Sequence, residues 1–166
     1  MIASTSIEDE EAPVPTEDAV VRIDDLDAEL CWRLLAQTPL GRIAFVVRGE
    51  PMLLPVNHVV DGHSVVIRTG QTDLLEVIAG GATVVFEVDE GDPSSETGWS
   101  VVMKGYASEV SDAAELADVA RLPLHSWAAG RKDHWLRIVP WSVSGRAISR
   151  RRIAPHGDLE PYRPTG

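Results

Sequence analysis

Asn57 and Arg68 are the side chains best placed to do chemistry. They flank Asp61-Gly62, a dipeptide that favours a two-residue hairpin turn between two strand-like runs, Met52 to Val60 and His63 to Thr69. With that turn, Val60 faces His63, Val59 faces Ser64, Asn57 faces Val66 and Pro55 faces Arg68. Side chains alternate across a strand, so Pro55, Asn57, Val59, Ser64, Val66 and Arg68 share one face. His58, Val60, His63, Val65 and Ile67 share the other. An amide and a guanidinium on a mostly apolar face suit the polar edge and the anionic group of a flat ligand. They suit an ordinary half-exposed sheet as well, and the residue types alone do not choose.

Thr69-Gly70-Gln71-Thr72 comes next and leads into a short helix, Thr72 to Ile78, closed by Gly80-Gly81. A helix start exposes unpaired N–H groups and a positive dipole end, so Arg68, Thr69 and Thr72 there would make a phosphate cradle. Asp73 opposes this, because a carboxylate in the first turn satisfies the dipole itself. A well-capped helix is the plainer reading.

The histidines are poorly spaced for metal or triad work. His58 and His63 share a face without a carboxylate at ligand spacing, His125 and His134 sit in a Trp-rich stretch, and His156 lies in a Pro-rich tail. Gly-x-Ser-x-Gly, Walker and Rossmann patterns are absent from the sequence. Cys31 has no base or cation in a recognisable motif and reads as a buried structural thiol. Trp99 and Lys104 are five apart on one strand and so fall on opposite faces.

The elements that must position these residues follow from periodicity. Leu26, Leu30 and Leu34, with Cys31 and Leu35, predict a first helix from Asp24 to about Thr38, opened by Asp24, Asp25 and Asp27. Strands are expected at Arg42 to Arg48, at the two hairpin runs, at Ala82 to Val88 and at Trp99 to Val110. An acidic loop from Asp89 to Thr97 separates the last two. Asp112 and Glu115 form a capping box for a helix through about Leu122, and strand-like segments around Pro140 fill Trp135 to Ile148. Several strands with two to three flanking helices give a mainly β, α+β chain arranged as a small barrel.

Composition bounds the rest. The chain has 166 residues, a net charge of −11 and a single cysteine, which fits one domain without a disulfide framework. Its apolar runs are far shorter than a membrane span and it lacks signal-peptide character, so a cytoplasmic protein is expected. The acidic balance disfavours nucleic acid. Residues 1–29 carry ten acids against Arg22 alone, whereas 131–152 carry seven bases and one acid. Residues 1–22 read as a flexible acidic arm, 23–150 as the folded domain and 151–166 as a basic, Pro-rich tail. Arg150 to Arg152 read as a solvated edge.

Six segments, in order, resemble the pyridoxamine 5′-phosphate oxidase-like family, in its flavin-nucleotide-binding branch. They are Leu40 to Phe45, Pro55 to Gly62, Val66 to Gly70, Val84 to Asp89, Gly98 to Ala107 and Ser144 to Arg146. The resemblance spans about residues 26–150. It implies a Greek-key-like split β-barrel that forms a homodimer and holds flavin mononucleotide (FMN), or in some branches a deazaflavin or heme, in a cleft between subunits. By position, Val56 and Asn57 would line the isoalloxazine edge, Arg68 and Thr69 would meet the ribityl phosphate, and Thr72 would supply a hydroxyl. No catalytic residue is implied, since the cofactor carries the hydride chemistry. The function implied is a flavin-binding oxidoreductase of unknown substrate. Where the family usually has lysine this chain has Asp73, a swing of two charges, each worth on the order of a few kcal/mol near a phosphate. Either the basic segment 131–152 of a partner chain offsets it, or the barrel has become a non-catalytic binding protein without flavin. A heme-binding member would need His58 or His63 as axial ligand.

Overall fold

The structure, a computed structural model, describes residues 19–70, 72–78 and 81–152. Within them the chain runs β1 (Ala19–Leu26), α1 (Ala28–Gln37), β2 (Leu40–Val47), β3 (Glu50–Asp61), β4 (Ser64–Thr69), α2 (Thr72–Ile78), β5 (Ala82–Asp92), β6 (Thr97–Glu109), α3 (Ala113–Val119) and β7 (His134–Arg152). The sheet is antiparallel, in the order β1-β7-β4-β3-β2-β5-β6, and β6 also pairs with β7. That last pairing closes β7, β4, β3, β2, β5 and β6 into a barrel. The expected mainly β chain with two to three helices forms, with three among the described residues.

β7 carries the closure. One edge pairs with β6 from Leu136 to Ile148, and the other takes β4 (Thr69 opposite His134) and then β1 (Leu26 opposite Gly145). Pro140 does not break the strand. The register shifts between Lys104 and Gly105, leaving Trp141 as the extra residue of a bulge where the ladder is already interrupted.

Several expectations shift. Asp24 and Asp25 lie in β1, opposite Ala147 and Arg146, so the first helix begins only after Asp27, whose carboxylate accepts the Leu30 N–H at 2.7 Å. Residues 19–22 are likewise strand rather than arm; residues 1–18 and 153–166 lie outside the described residues. The acidic stretch expected as a loop extends β5 and β6 as a hairpin up to the Asp92–Thr97 pair. The first hairpin turns on Gly62-His63, with Gly62 at φ 58° and the Ser64 hydroxyl donating to Asp61 O at 2.7 Å. Asp61 therefore faces Ser64 and Val59 faces Val66. The register slides by two residues, which preserves both faces. It also brings Arg68 level with Asn57, one step beyond the His58–Ile67 pair.

The barrel interior is filled by Ile43, Val65, Ile67, Phe86, Met103, Leu136 and Ile138, with Cys31 and Leu35 of α1 closing one end. A smaller cluster of Val66, Val110 and Val119 sits under α3. Trp99 packs against the main core and Lys104 is exposed, as expected from their spacing. Arg137 ties α3 to the first hairpin, donating to Glu115 at 2.7 Å, Asp61 at 2.8 Å and Ser64 at 2.6 Å.

The α1–β2 joint is fixed by a close approach. A Cβ on Gly41 would overlap the Phe86 ring and lie 2.9 Å from Glu87 O. Gly41→Ala should cost about 2–3 kcal/mol in urea unfolding, and clearly less when it is introduced into a Phe86→Leu background, whose own loss is measured separately. Equal costs in the two backgrounds would show that the Phe86 ring is not what excludes the side chain.

Candidate functional site

Four of the five expected site residues meet at one cavity. Val56, Asn57, Arg68 and Thr69 line a space of about 280 Å3 where β4 ends, together with Gly70, Arg131 and Lys132. Thr72 is not in the lining and opens α2, exposed. Val56 borders the cavity while packing its side chain toward the core. Thr69 is 3% exposed. Arg68 is exposed, with its guanidinium carbon 5.1 Å from the centroid of the Trp135 ring, and it enters no ion pair among the described residues.

Strand pairing assembles the cavity. Thr69 pairs with His134, so residues just after β4 must lie beside residues just before β7. Gly70 accordingly sits under the backbone of Arg131, whose carbonyl a Cβ at Gly70 would strike. Asn57 pins the same connection further back. Its Oδ1 accepts the Trp127 N–H at 2.8 Å, and its Nδ2 donates to Pro39 O at 3.1 Å. The amide expected to face a ligand is thus engaged at both ends in holding the walls together. Lys132 Nζ donates to Ala128 O at 3.0 Å, a bond between two residues of the lining.

The charge of the site is one-sided. Arg68, Arg131 and Lys132 line it and no carboxylate does, while Asp133 pairs with Arg131 at 2.9 Å from outside the lining. Asp73 also stays outside the lining. Its charge acts on Arg48, whose pKa is raised by the hydrogen bond and charge of Glu76 and, to a smaller extent, by Asp73. Sequence reasoning singled out the basic segment containing Arg131 and Lys132 but gave it no place in this chain's own cavity.

A larger groove of about 760 Å3 runs along the β5–β6 hairpin, rimmed by Glu87, Asp89, Glu90, Asp92 and Glu96 with Arg146. Arg42 bonds Glu87 and Asp89, Arg150 stays exposed as expected and pairs with Glu96, and hydrogen bonds from Ser94 and then Ser95 hold the Asp92 carboxyl down at about 2. So acidic a rim repels phosphate.

His58 and His63 do not line the cationic cavity. His58 is 6% exposed, packs edge-on against Phe86 with ring centroids 4.8 Å apart, and its Nε2 hydrogen-bonds Leu35 O at 2.9 Å. His63 is exposed on the turn, edge-on to Trp32.

The fold and its cavity define a small β-barrel protein with Arg68, Arg131 and Lys132 gathered at one strand end. Residues 27–147 match the family model described as pyridoxamine 5′-phosphate oxidase, and the chain belongs to that family. An uncharacterized protein of Mycobacterium tuberculosis is 39% identical over 129 residues, covering 75% of this chain and 84% of that one. Among solved structures, a FAD binding protein from Mycobacterium smegmatis is similar at 36% identity and a TM-score of 0.62, covering 75% of this chain and 98% of that one. A conserved protein of unknown function from Corynebacterium diphtheriae is similar at 32% identity and a TM-score of 0.64, covering 75% and 97%. Among the described residues, no helix is long and apolar enough to cross a membrane.

Burial pushes the His58 pKa below 6.5, outweighing its hydrogen bond to Leu35 O. The unfolded chain therefore takes up a proton near pH 6.5 that the folded chain refuses, so stability is complete above that pH and falls below it. The slope approaches about 1.4 kcal/mol per pH unit. Urea midpoints measured from pH 7.5 to 5.5 should fall more steeply for the native protein than for His58→Gln, and parallel slopes would contradict this.

Proposed function

We propose that the protein binds a phosphate-bearing flavin and is an oxidoreductase of this cofactor, with its substrate open. The observation that carries the reading is the cavity at the end of β4, where Arg68 and Thr69 meet in a cationic lining free of carboxylates. At about 280 Å3 it is at the small end of ligand sites and suits a charged head group better than a whole flavin. From it an exposed apolar strip of Pro55, Leu53 and Val46 runs along the β2–β3 face, room for a flat ring. Pro55 and Asn57 stand where the strip meets the cavity.

In this reading Arg68 and the Thr69 corner hold the phosphate, and the Val56–Asn57 strand borders the ring. When bound, the flavin supplies the hydride chemistry, and the protein supplies binding, orientation and charge. Leu40, Val46 and Leu53 leave the strip open in a single chain, and a second copy laid across it would exclude water from the ring. That gives a split-barrel homodimer with its cofactor between subunits. Three features support flavin over a vacated barrel: the family, the name of the Mycobacterium smegmatis relative, and the placement of Asp73 outside the cavity. Deazaflavin has a phosphate too and would use the same corner. Heme would need an accessible imidazole, which neither His58 nor His63 offers at this site.

Absorption titrations of the purified chain with FMN, with FAD and with a deazaflavin check the reading. Saturable binding at micromolar affinity or tighter is expected for at least one of them, and Arg68→Ala should weaken it roughly tenfold or more. Unchanged affinity in that variant would remove Arg68 from the site, and no binding of any of them by the native protein would refute the flavin reading.

A further inference from the structure

The resemblance implies a lysine where this chain has Asp73, a difference that would leave a flavin phosphate short of one cation. Four observations show how this chain's geometry answers it. Asp73 does not border the cavity, and its charge acts on Arg48 instead. Lys132, half-buried, does border it, with one ammonium donor on Ala128 O and two others left. The segment carrying Lys132 is fixed at both ends, by the Asn57 bond to Trp127 N–H and by the Thr69–His134 pair. Gly70 has no side chain because the Arg131 carbonyl occupies the place of its Cβ, so the two segments touch along their backbones.

We propose that Lys132, on the connection leading into β7, is the phosphate-gripping cation of this protein, and that Arg131 adds charge beside it. The ligand class is a phosphate monoester or diphosphate, and the site belongs to one chain rather than to a partner. That the phosphate is a flavin's rests on the preceding reading; that the cavity grips phosphate through Lys132 does not. Arg131 shares its charge with Asp133 at 2.9 Å and is the weaker contributor. Asn57 is a positioning residue here, holding the connection that brings Lys132 into the same lining as Arg68.

The test uses the full chain with FMN, with riboflavin as the same ring lacking phosphate, and with inorganic pyrophosphate. Lys132→Ala should weaken FMN roughly ten- to a hundredfold, the range for a lost bond to a charged group, and leave riboflavin within about twofold. The slope of log Kd against log salt for FMN should become shallower in that variant. Asp73→Lys should change FMN affinity less than about threefold, since that position does not face the ligand. Equal loss for FMN and riboflavin would show that Lys132 only supports the fold, and a large gain from Asp73→Lys would return the cation site to α2; either overturns the proposal. If neither flavin binds the native protein, the flavin reading fails alone provided that pyrophosphate binds and Lys132→Ala weakens it. Pyrophosphate failing to bind as well would overturn the anion site itself.

Discussion

The antiparallel pairing of Thr69 with His134 is the constraint on which the site depends. It is the last rung between β4 and β7, and it forces the chain leaving β4 to lie beside the chain entering β7. Three features of the cationic cavity follow from that meeting: the glycine at position 70, the carbonyl of Arg131 against it, and Lys132 in the same lining. The same strand closes the barrel against β6 and seats β1. Fold and site therefore stand or fall together, since a slip of β7 by one residue would turn its interior residues, Leu136 and Ile138, out of the core while moving the cations away from Arg68.

Charge is partitioned along the molecule. The chain carries −11, yet the charged residues lining the cavity are all cations, while the carboxylates of the β5–β6 hairpin ring the larger groove. Screening makes this workable. At physiological salt exposed charges fade over about 8 Å, so a phosphate at the cavity responds chiefly to the groups that touch it. Much of the acidic rim is also answered locally, by Arg42 against Glu87 and Asp89 and by Arg150 against Glu96. The larger groove is the acidic one, so size and charge point to different places on the molecule.

Much of the fold was legible because it is written in short-range patterns. The α2 limits, the two faces of the first hairpin and the Asp112 cap follow from alternation, turn residues and capping chemistry within a few positions. The hairpin register was missed locally, at the turn, but two other misreadings share a long-range cause. Asp24 and Asp25 have the composition of a helix start, but their cross-strand partners lie more than a hundred residues away at Ala147 and Arg146. The acidic stretch after Val88 has the composition of a loop, but pairing with Thr97 to Ser100 makes it strand. The site was half legible for the same reason. Arg68 and Thr69 are near in sequence to the strand that borders the cavity, whereas Lys132 reaches them only through a pairing across some sixty residues. Asn57 was found for its chemistry, while its bond to Trp127 is visible only in the fold.

Amide chemical-shift mapping on the isotopically labelled full chain would locate the phosphate on the barrel. Added FMN should move the amides of Arg68 to Gly70 and Ser126 to Lys132 together, at one common affinity, and leave Asp89 to Trp99 in place. Shifts concentrated in the β5–β6 hairpin, with the β4 end and the connection before β7 unmoved, would contradict a phosphate site at the cationic cavity.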